Sequence, residues 1–362
     1  MTGHAIAAFI AIRPGSSCIM STKRGSDITI KDIADHLGLS HPTVSRALRD
    51  MPSVQARTRE RVKQAALELG YIPNSGARML RRTRSELVGV IFPDIQNDFY
   101  SATMATLAAA FLAHSYKLVL ATSEDDPDIE LKHVQSLREA RVAGVIIAPT
   151  AGMRKESISL LSSIPTIQLL RQHPKLRAAA VKVDEHTGIA LATRRLIEQG
   201  HQRVALIAGF NSLSTGQARE AGYRSAMSQG GILVDESLIQ QGTPRPGFGH
   251  EAMSRLLDLQ HPPTGVVLAS SQLTLGALAA IQERHIRVPE QLALVGYHDP
   301  PWYRLWGPGI SCVSLPVRDM AATGASLLLR QLGLNDRGQD GVAADGAQDV
   351  NFGPKLVVRG TG

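Results

Sequence analysis

The sequence predicts an all-α head followed by an α/β body of two Rossmann-like lobes, each built on a parallel sheet. Its 362 residues are about twice the length of a usual single domain. From residue 87 onward, short apolar runs alternate with helical patterns, which is typical of doubly wound α/β layers. The net positive charge lies before that point, where the apolar spacing is helical instead.

The charge is distributed very unevenly along the chain. Residues 1–86 contain 14 basic and 7 acidic residues, whereas residues 87–362 contain 25 of each. The whole excess of +7 therefore lies in the first quarter, which predicts a polyanion-binding head on a neutral body. A hydrophobic content of 43% excludes a wholly disordered protein.

The extreme N-terminal segment carries no fold signal of its own. The apolar stretch Ala5–Ile12 resembles a signal-peptide core, but no basic residue precedes it, and Met20 is an alternative start. We therefore expect residues 1–26 to be an extension. The cysteines, Cys18 and Cys312, form neither a disulfide framework nor a zinc site, so we expect a cytoplasmic protein without metal or cofactor.

The head is predicted to be a helix-turn-helix. Thr29 precedes a helical pattern and is expected to cap it, with Asp32 completing a capping box. Gly38 ends this helix and makes the turn, and Ser40 is expected to cap a second helix over residues 41–48. In such a motif the start of the second helix enters the major groove of DNA.

A third helix is expected over residues 56–69, with a basic surface suited to phosphates. Its basic residues are Arg57, Arg59, Arg61 and Lys63. The residues expected to form the core of the head are Ile33, Ala34, Leu37, Val44 and Leu48. The alternative is a small three-helix domain with a solvated basic face.

The body is predicted from seven short apolar runs, nearly continuous as in strands that are buried on both faces. The runs are Leu87–Phe92, Lys117–Ala121, Gly144–Ala148, Thr166–Leu170, Val204–Ala208, Gly265–Ala269 and Leu292–Gly296. Helical patterns lie between them, for example over residues 103–113 and 188–198. This number of strands fits two lobes with a cleft between them.

Five segments carry a more specific pattern. They are Ile28–Ala34, Val44–Leu48, Leu69–Asn74, Ala77–Leu80 and Val88–Ile95. These segments resemble the LacI (lactose repressor) family of bacterial transcription regulators, and the resemblance extends with matching spacing to about Val358. It implies a hinge helix after the head, and a periplasmic-binding-protein-like effector domain. It also implies a homodimer that binds pseudo-palindromic operator DNA and responds to a small molecule in the cleft.

The resemblance predicts the boundaries of the parts. They are a DNA-binding domain over 27–73, a hinge helix and linker over 74–86, and an effector-binding and dimerisation domain over 87–362. Within the last domain we expect one lobe over about 87–181 and 314–330, and the other over about 182–313 and 331–362. No leucine heptad follows residue 350, so a dimer is expected rather than a tetramer.

The resemblance also assigns DNA contacts in the head. His41 and Pro42 match positions where the family varies its base-reading residues, and Arg46 matches the usual guanine reader. Arginine suits guanine because its fork donates to O6 and N7 together. The positions that match backbone-contacting or supporting residues are Thr29, Ser40, Thr43, Ser45, Arg49 and Tyr71.

Residues 74–81 match the hinge helix, which in the family folds on DNA. Leu80 matches the leucine that enters the minor groove and kinks the duplex, with an ordinary packing leucine as the alternative. Asn74, Ala77 and Arg78 are expected to contact DNA by the same resemblance.

In the body, Phe99 and Tyr100 match an aromatic pair of the effector pocket. Arg219 matches the arginine that grips the effector, with a surface arginine as the alternative. Arg171, Ser271 and His298 also match positions of the family's pocket. In the pairs Leu170-Arg171 and Ser271-Gln272, however, Leu170 and Gln272 stand where the family often has an acid, and so does His298.

The loss of these acids predicts an anionic effector. Carboxylates grip neutral polyols by accepting hydrogen bonds, whereas arginine is suited to carboxylate or phosphate. Retention of Arg171 and Arg219 thus favours a sugar acid, a keto-acid or a phosphorylated sugar over a neutral sugar. The alternative is that these positions pack structurally.

Three aromatic residues are further candidates for the pocket. Trp302 is predicted to roof the pocket or to stack on a ring, and Trp306 is a second candidate, although packing or dimer contacts are the alternative for both. Phe248 is a candidate stacking residue because Pro244 stands where the family has an aromatic.

Two other classes of protein share the body plan. An enzyme is disfavoured because no Gly-x-Ser-x-Gly, P-loop or cluster of metal ligands is found. An exported solute-binding protein would need an export signal and no helix-turn-helix. What the resemblance implies is a repressor of a carbohydrate or sugar-acid catabolic operon, released by its effector.

Overall fold

The computed structural model describes residues 28–71, 85–334 and 349–362. These residues belong to two compact units, one on each side of residues 72–84. The expected N-terminal extension, and the hinge residues Asn74, Ala77, Arg78 and Leu80, lie outside the described residues.

The head contains three helices: α1 (Ile30–Leu37), α2 (His41–Ala47) and α3 (Ala56–Glu68). The capping box of α1 is confirmed, because Thr29 N donates to Asp32 Oδ2 at 2.7 Å and Asp32 N donates to Thr29 Oγ1 at 3.4 Å. Gly38 ends α1 with φ +64°, a conformation that glycine adopts without strain.

The predicted cap at Ser40 is wrong in one respect. Ser40 stands at the N-cap of α2, but its hydroxyl makes no hydrogen bond to a backbone N–H. It is hydrogen-bonded to Thr43 Oγ1 at 2.8 Å instead. The first turn of α2 therefore begins without a side-chain cap, and Pro42 removes one of the donors that would need one.

The core of the head brings all three helices together. Its buried members are Ile33, Ala34, Val44, Ala47, Val54, Val62, Ala65 and Ala66. Leu37 and Leu48, which were expected in the core, are only half-buried at its edge. The residues of α3 complete the core, so this small unit buries apolar side chains from each of its helices.

The body contains two six-stranded sheets. The strands of the first are β1 (Leu87–Phe92), β2 (Lys117–Thr122), β3 (Gly144–Ile147), β4 (Thr166–Leu169), β5 (Ala179–Val183) and β11 (Val350–Phe352). The strands of the second are β6 (Val204–Ala208), β7 (Ile239–Gln241), β8 (Gly265–Leu268), β9 (Ala293–Tyr297), β10 (Ser311–Ser314) and β12 (Lys355–Val357). The orders are β11-β5-β4-β3-β1-β2 and β12-β10-β9-β8-β6-β7. Pairing is parallel throughout, except that β12 is antiparallel to β10.

In the part of the body that the structure describes, eight α-helices pack on the two sheets. They are α4 (Asp98–Leu112), α5 (Pro127–Glu139), α6 (Lys155–Leu161), α7 (Glu185–Glu198), α8 (Ser214–Gln229), α9 (Pro246–Leu257), α10 (Ser271–Glu283) and α11 (Val317–Gln331). Helix α11 packs against α4 and the first sheet. Among the described residues, no helix is long and apolar enough to cross a membrane.

The chain passes between the lobes three times, and this corrects one expected boundary. The passages follow β5, β10 and β11. Residues 331–362 were expected in the second lobe, yet β11 pairs with β5 through Val350 and Val181 in the first sheet. Only the segment from Lys355 onward joins the second sheet, where Leu356 lies opposite Val313.

Candidate functional site

A cleft lies where the strands of both sheets end. Its walls are formed by segments that follow β1, β2, β4, β7, β8 and β9, together with the start of α8. Carboxyl ends of parallel strands are the usual ligand site of open α/β sheets. Six of the seven residues predicted for the pocket line this cleft: Phe99, Tyr100, Arg171, Arg219, Ser271 and His298.

The aromatic pair at the start of α4 forms one wall. Phe99 and Tyr100 are buried, with their rings edge to face at 5.3 Å between centroids. Phe99 also meets the ring of His298 from the other lobe, at 6.2 Å. Burial lowers the pKa of His298, so the imidazole is neutral near pH 7 and carries no positive charge into the cleft.

Arg219 is held in a buried ion pair that the sequence did not predict. Its Nε and Nη2 donate to the Glu185 carboxylate at 2.7 and 3.1 Å, and its Nη1 donates to Ala269 O at 2.8 Å. The guanidinium carbon lies 4.7 Å from the centre of the Tyr297 ring. Burial would lower the pKa of Arg219, but the Glu185 carboxylate outweighs it and the pKa is raised.

Close packing of two helices places this pair. At Gly222, a Cβ would lie 2.2 Å from the carbonyl oxygen of His186, so only glycine fits where α8 crosses the start of α7. Gly222 lies about one helical turn after Arg219, and Glu185 directly precedes His186. The helix crossing therefore brings the two charged side chains together.

Arg171 is also paired with an acid. Its Nη1 and Nη2 donate to the carboxylate of Asp125, and only 6% of the Arg171 side chain is exposed. Asp125 and its neighbour Glu124 have φ values of +61° and +54°. Leu170 and His298, which also line the cleft, have φ of +65° and +70°. Such left-handed conformations of non-glycine residues are sparsely populated and concentrate at functional sites.

The pocket was expected to be less negative than is usual in the family, but both of its predicted arginines are paired with acids. Acids that are common in the family are absent at three positions, but Asp125 and Glu185 supply acids from other elements. A third arginine of the cleft, Arg245, lies 3.8 Å from Glu124 across the lobes. Among the described residues, each arginine that lines the cleft thus has an acidic partner. The positive and negative charges around the cleft are therefore close to balanced.

Several neutral polar atoms of the cleft lack hydrogen-bond partners within the described chain. They are Ser271 Oγ, Tyr297 Oη and His298 Nδ1. A buried polar atom without a partner costs on the order of 1–3 kcal/mol. Hydroxyl and amide groups are the neutral hydrogen-bond partners that suit such atoms.

Two hydrogen bonds join the lobes at the cleft. Gln272 Nε2 donates to Gln96 O at 2.8 Å, and Gln172 N donates to Ser214 Oγ at 3.1 Å. Gln272 stands at one of the positions where an acid is common in the family, and its side chain contacts the opposite lobe and does not line the cleft.

Three aromatic candidates are not part of the cleft. Trp302 packs against the core of the second lobe, edge to face on Tyr303 at 4.5 Å, and Trp306 packs against the same core. Phe248 contacts that core as well and lies under Arg255. Neither Trp302, predicted as a pocket roof, nor Phe248, predicted as a stacking residue, lines the cleft, because both rings pack half-buried against the apolar core of the second lobe.

In the head, the predicted base-reading residues form an exposed surface at the start of α2. His41, Pro42 and Arg46 are exposed, whereas Thr43 and Ser45 are half-buried. Arg46 Nε donates to Pro42 O at 3.2 Å, and Arg49 Nε donates to Ser45 O at 2.9 Å. Carbonyl oxygens of α2 therefore accept hydrogen bonds from both guanidinium groups.

Two of the basic residues of α3 make contacts within the head, and two are exposed to solvent. Lys63 Nζ lies 2.7 Å from Asp50 Oδ1, and Arg59 donates to the carbonyl oxygen of Val54 at 3.0 Å. These contacts are within the head and fix the loop before α3. Arg57 and Arg61 are exposed, so they are better placed for phosphates than Arg59 and Lys63.

Known protein families match both the head and the body of the chain. Residues 29–74 match the model for bacterial regulatory proteins of the lacI family, and residues 193–361 match that for a periplasmic binding protein-like domain. The transcriptional regulator RegA of Clostridium saccharobutylicum is 30% identical over 84% of this chain and 92% of its own. The repressor CytR of Escherichia coli K12 is 30% identical over 86% and 91%.

Solved structures give the same result. The lac repressor dimer bound to operator and the anti-inducer ONPF is 25% identical, with a TM-score of 0.74 over 93% of this chain and 99% of that one. The CelR–cellobiose complex is 28% identical, with a TM-score of 0.67 over 92% and 100%. A helix-turn-helix head and a two-lobed body with a cleft define an effector-regulated DNA-binding repressor. The chain belongs to the LacI family of bacterial transcription regulators.

Membership in this family makes the chain a regulator rather than an enzyme. The described residues contain no group of His, Cys, Asp and Glu side chains that could hold a metal ion.

Proposed function

We propose that this chain is a homodimeric repressor of a carbohydrate or sugar-acid catabolic operon, acting in the bacterial cytoplasm. A small polar effector in the cleft releases it from a pseudo-palindromic operator. The observation that carries the proposal is the cleft at the strand ends, which both lobes line and where polar atoms of Ser271, Tyr297 and His298 on the second lobe lack hydrogen-bond partners.

The start of α2 is proposed to read the operator in the major groove. Arg46 would donate to guanine, while the donor-free Pro42 contributes shape or an apolar contact with a thymine methyl. The residues proposed to contact the DNA backbone or to support those contacts are Thr29, Ser40, Thr43, Ser45, Arg49 and Tyr71. In the hinge, Leu80 is proposed to enter the minor groove, and Asn74, Ala77 and Arg78 are proposed to contact the DNA.

Effector binding is proposed to act through the arrangement of the lobes. The cleft is lined by both lobes, so a molecule that binds there favours one relative arrangement of them over another. That choice alters the fraction of dimers competent to bind the operator, and the coupling is reciprocal. Operator DNA should therefore weaken effector binding by the same factor.

The chemistry of the effector has two candidates. A sugar acid, keto-acid or phosphorylated sugar was predicted because acids common in the family are absent while Arg171 and Arg219 are kept, but these arginines are paired with Asp125 and Glu185. This pairing favours a neutral effector rich in hydroxyl groups. Calorimetric titration with neutral sugars and their matching acids separates the two, since tight binding of only an acid would contradict a neutral effector.

Operator binding is tested with two arginine variants that lose the same charge. We expect Arg46→Ala to weaken binding to a selected operator by roughly 1–3 kcal/mol and to relax specificity at one base pair. Arg57→Ala should weaken binding to all sequences alike and lower the salt dependence by about one unit. Fluorescence anisotropy measures both. Equal losses on operator and random DNA for Arg46→Ala would contradict base reading by α2.

A further inference from the structure

We propose that Glu185 determines the charge preference of the cleft, by neutralising Arg219 and fixing the direction of its remaining donors. This inference rests on the proposed function, because it assumes that the effector occupies the cleft beside Arg219. It assigns a role to a residue that does not itself line the cleft.

The geometry of the pair leaves a defined set of donors. Three of the five N–H groups of Arg219 are used, two by the Glu185 carboxylate and one by Ala269 O. The other two N–H groups, one on each terminal nitrogen, have no partner in these contacts. They suit acceptor oxygens of hydroxyl, carbonyl or ether groups.

The burial of the pair makes its charge balance important. Residue exposures are 5% for Glu185 and 9% for Arg219, so water screens neither charge well. Because the carboxylate already compensates the guanidinium, a second anion beside Arg219 would be repelled by Glu185. A neutral ligand keeps the pair intact and avoids this repulsion.

The test exchanges the carboxylate for an amide of the same shape. In Glu185→Gln the guanidinium remains but loses its counter-ion, so a ligand carboxylate should take that place. The probes are D-glucose with D-glucuronate and D-galactose with D-galacturonate, at equal ionic strength made up with sodium chloride. Calorimetry and thermal unfolding of the full chain report binding.

We expect the ratio of acid affinity to neutral-sugar affinity to rise by about tenfold or more in Glu185→Gln. Glu236→Gln, which removes an acid from an exposed pair with Arg224 in the same lobe, should leave the ratio unchanged. The double variant Glu185→Gln, Arg219→Gln should return to the wild-type ratio. An unchanged ratio in Glu185→Gln, or a wild type that is stabilised only by the acids, would overturn the proposal.

A folding defect does not obscure the result. If Glu185→Gln is unfolded alone, refolding by glucuronate but not by sodium chloride supports the proposal, and refolding by both or by neither overturns it. Operator binding is measured separately by anisotropy. A shifted ratio without any ligand effect on operator affinity would contradict the proposed function and leave the role of Glu185 standing.

Discussion

Glu130 is a buried carboxyl group of the first lobe. It lies on α5, fully inaccessible to solvent, and its Oε2 accepts a hydrogen bond from Thr150 N at 2.8 Å. Its Oε1 has no hydrogen-bond partner in the described chain. Burial raises the pKa of Glu130 from 4.5 to about 7, so the folded body holds a proton that the unfolded chain releases.

The sign of the resulting pH dependence follows from that difference in bound protons. Between pH 4.5 and about 7 the folded state binds more protons at Glu130, so stability falls as the pH rises through this window. We expect Glu130 to contribute a loss of up to about 3 kcal/mol between pH 4 and pH 8. Glu130→Gln should lack this loss.

Urea unfolding followed by circular dichroism at several pH values measures this effect. Glu139→Gln, at the exposed end of the same helix, is the matched control and should keep the wild-type pH dependence. If wild type and Glu130→Gln lose stability in parallel above pH 5, Glu130 is ionised in the folded body and the expectation fails.

At the scale of secondary-structure elements, α1 and α2 differ in how they begin. Thr29 caps α1 through the backbone, while the hydroxyl of Ser40 bonds only to Thr43. Thr29→Ala should therefore destabilise the head by about 1 kcal/mol, and Ser40→Ala by much less. Hydrogen exchange of the α1 and α2 amides in the full chain measures both. Similar effects of the two substitutions would contradict the different caps.

The elements that were predicted correctly share a physical property. Six of the seven predicted runs are continuous and apolar because their strands are covered on both faces, as in β1 and β6, whereas the seventh, β2, is a partly exposed edge strand. Strands β7, β11 and β12 have only three residues each and are incompletely buried, so they leave no apolar run. Strand β5 was missed because alanines make up much of it.

Only part of the candidate site was predicted, because its ion pairs join residues that are far apart along the chain. Arg171 and Arg219 stand in recognisable motifs, but their partners lie 46 and 34 residues away along the chain. No local pattern predicts such pairing, because it depends on how strand ends and helix crossings meet in space. Glu185 lies two residues after the end of β5, and a polar residue at a strand end is a signal for a site. This signal could be used only if β5 had been recognised as a strand.

At the scale of the whole body, few polar contacts join the lobes across the cleft. The bond from Gln272 Nε2 to Gln96 O is one of them, and Gln272 is buried. Gln272→Ala should weaken the contact between the lobes by about 0.5–1.5 kcal/mol. The amides around residues 94–97 should then exchange about 2- to 10-fold faster, measured by mass spectrometry.

A control lies on the same helix. Gln282→Ala changes an exposed glutamine at the far end of α10 and should leave exchange near residues 94–97 unchanged. Equal exchange rates in wild type and Gln272→Ala would mean that apolar contacts, such as that between Phe99 and His298, hold the lobes together without this bond.

The three passages of the chain between the lobes also determine the order of events during synthesis. The first sheet needs Val350–Phe352 and the second needs Lys355–Val357, whereas the core of the head is complete by Tyr71. A ribosome that adds about 5–20 residues per second takes about 15–60 s to cover that interval. The nascent chain thus carries a finished DNA-binding unit for many seconds before either lobe has its last strand.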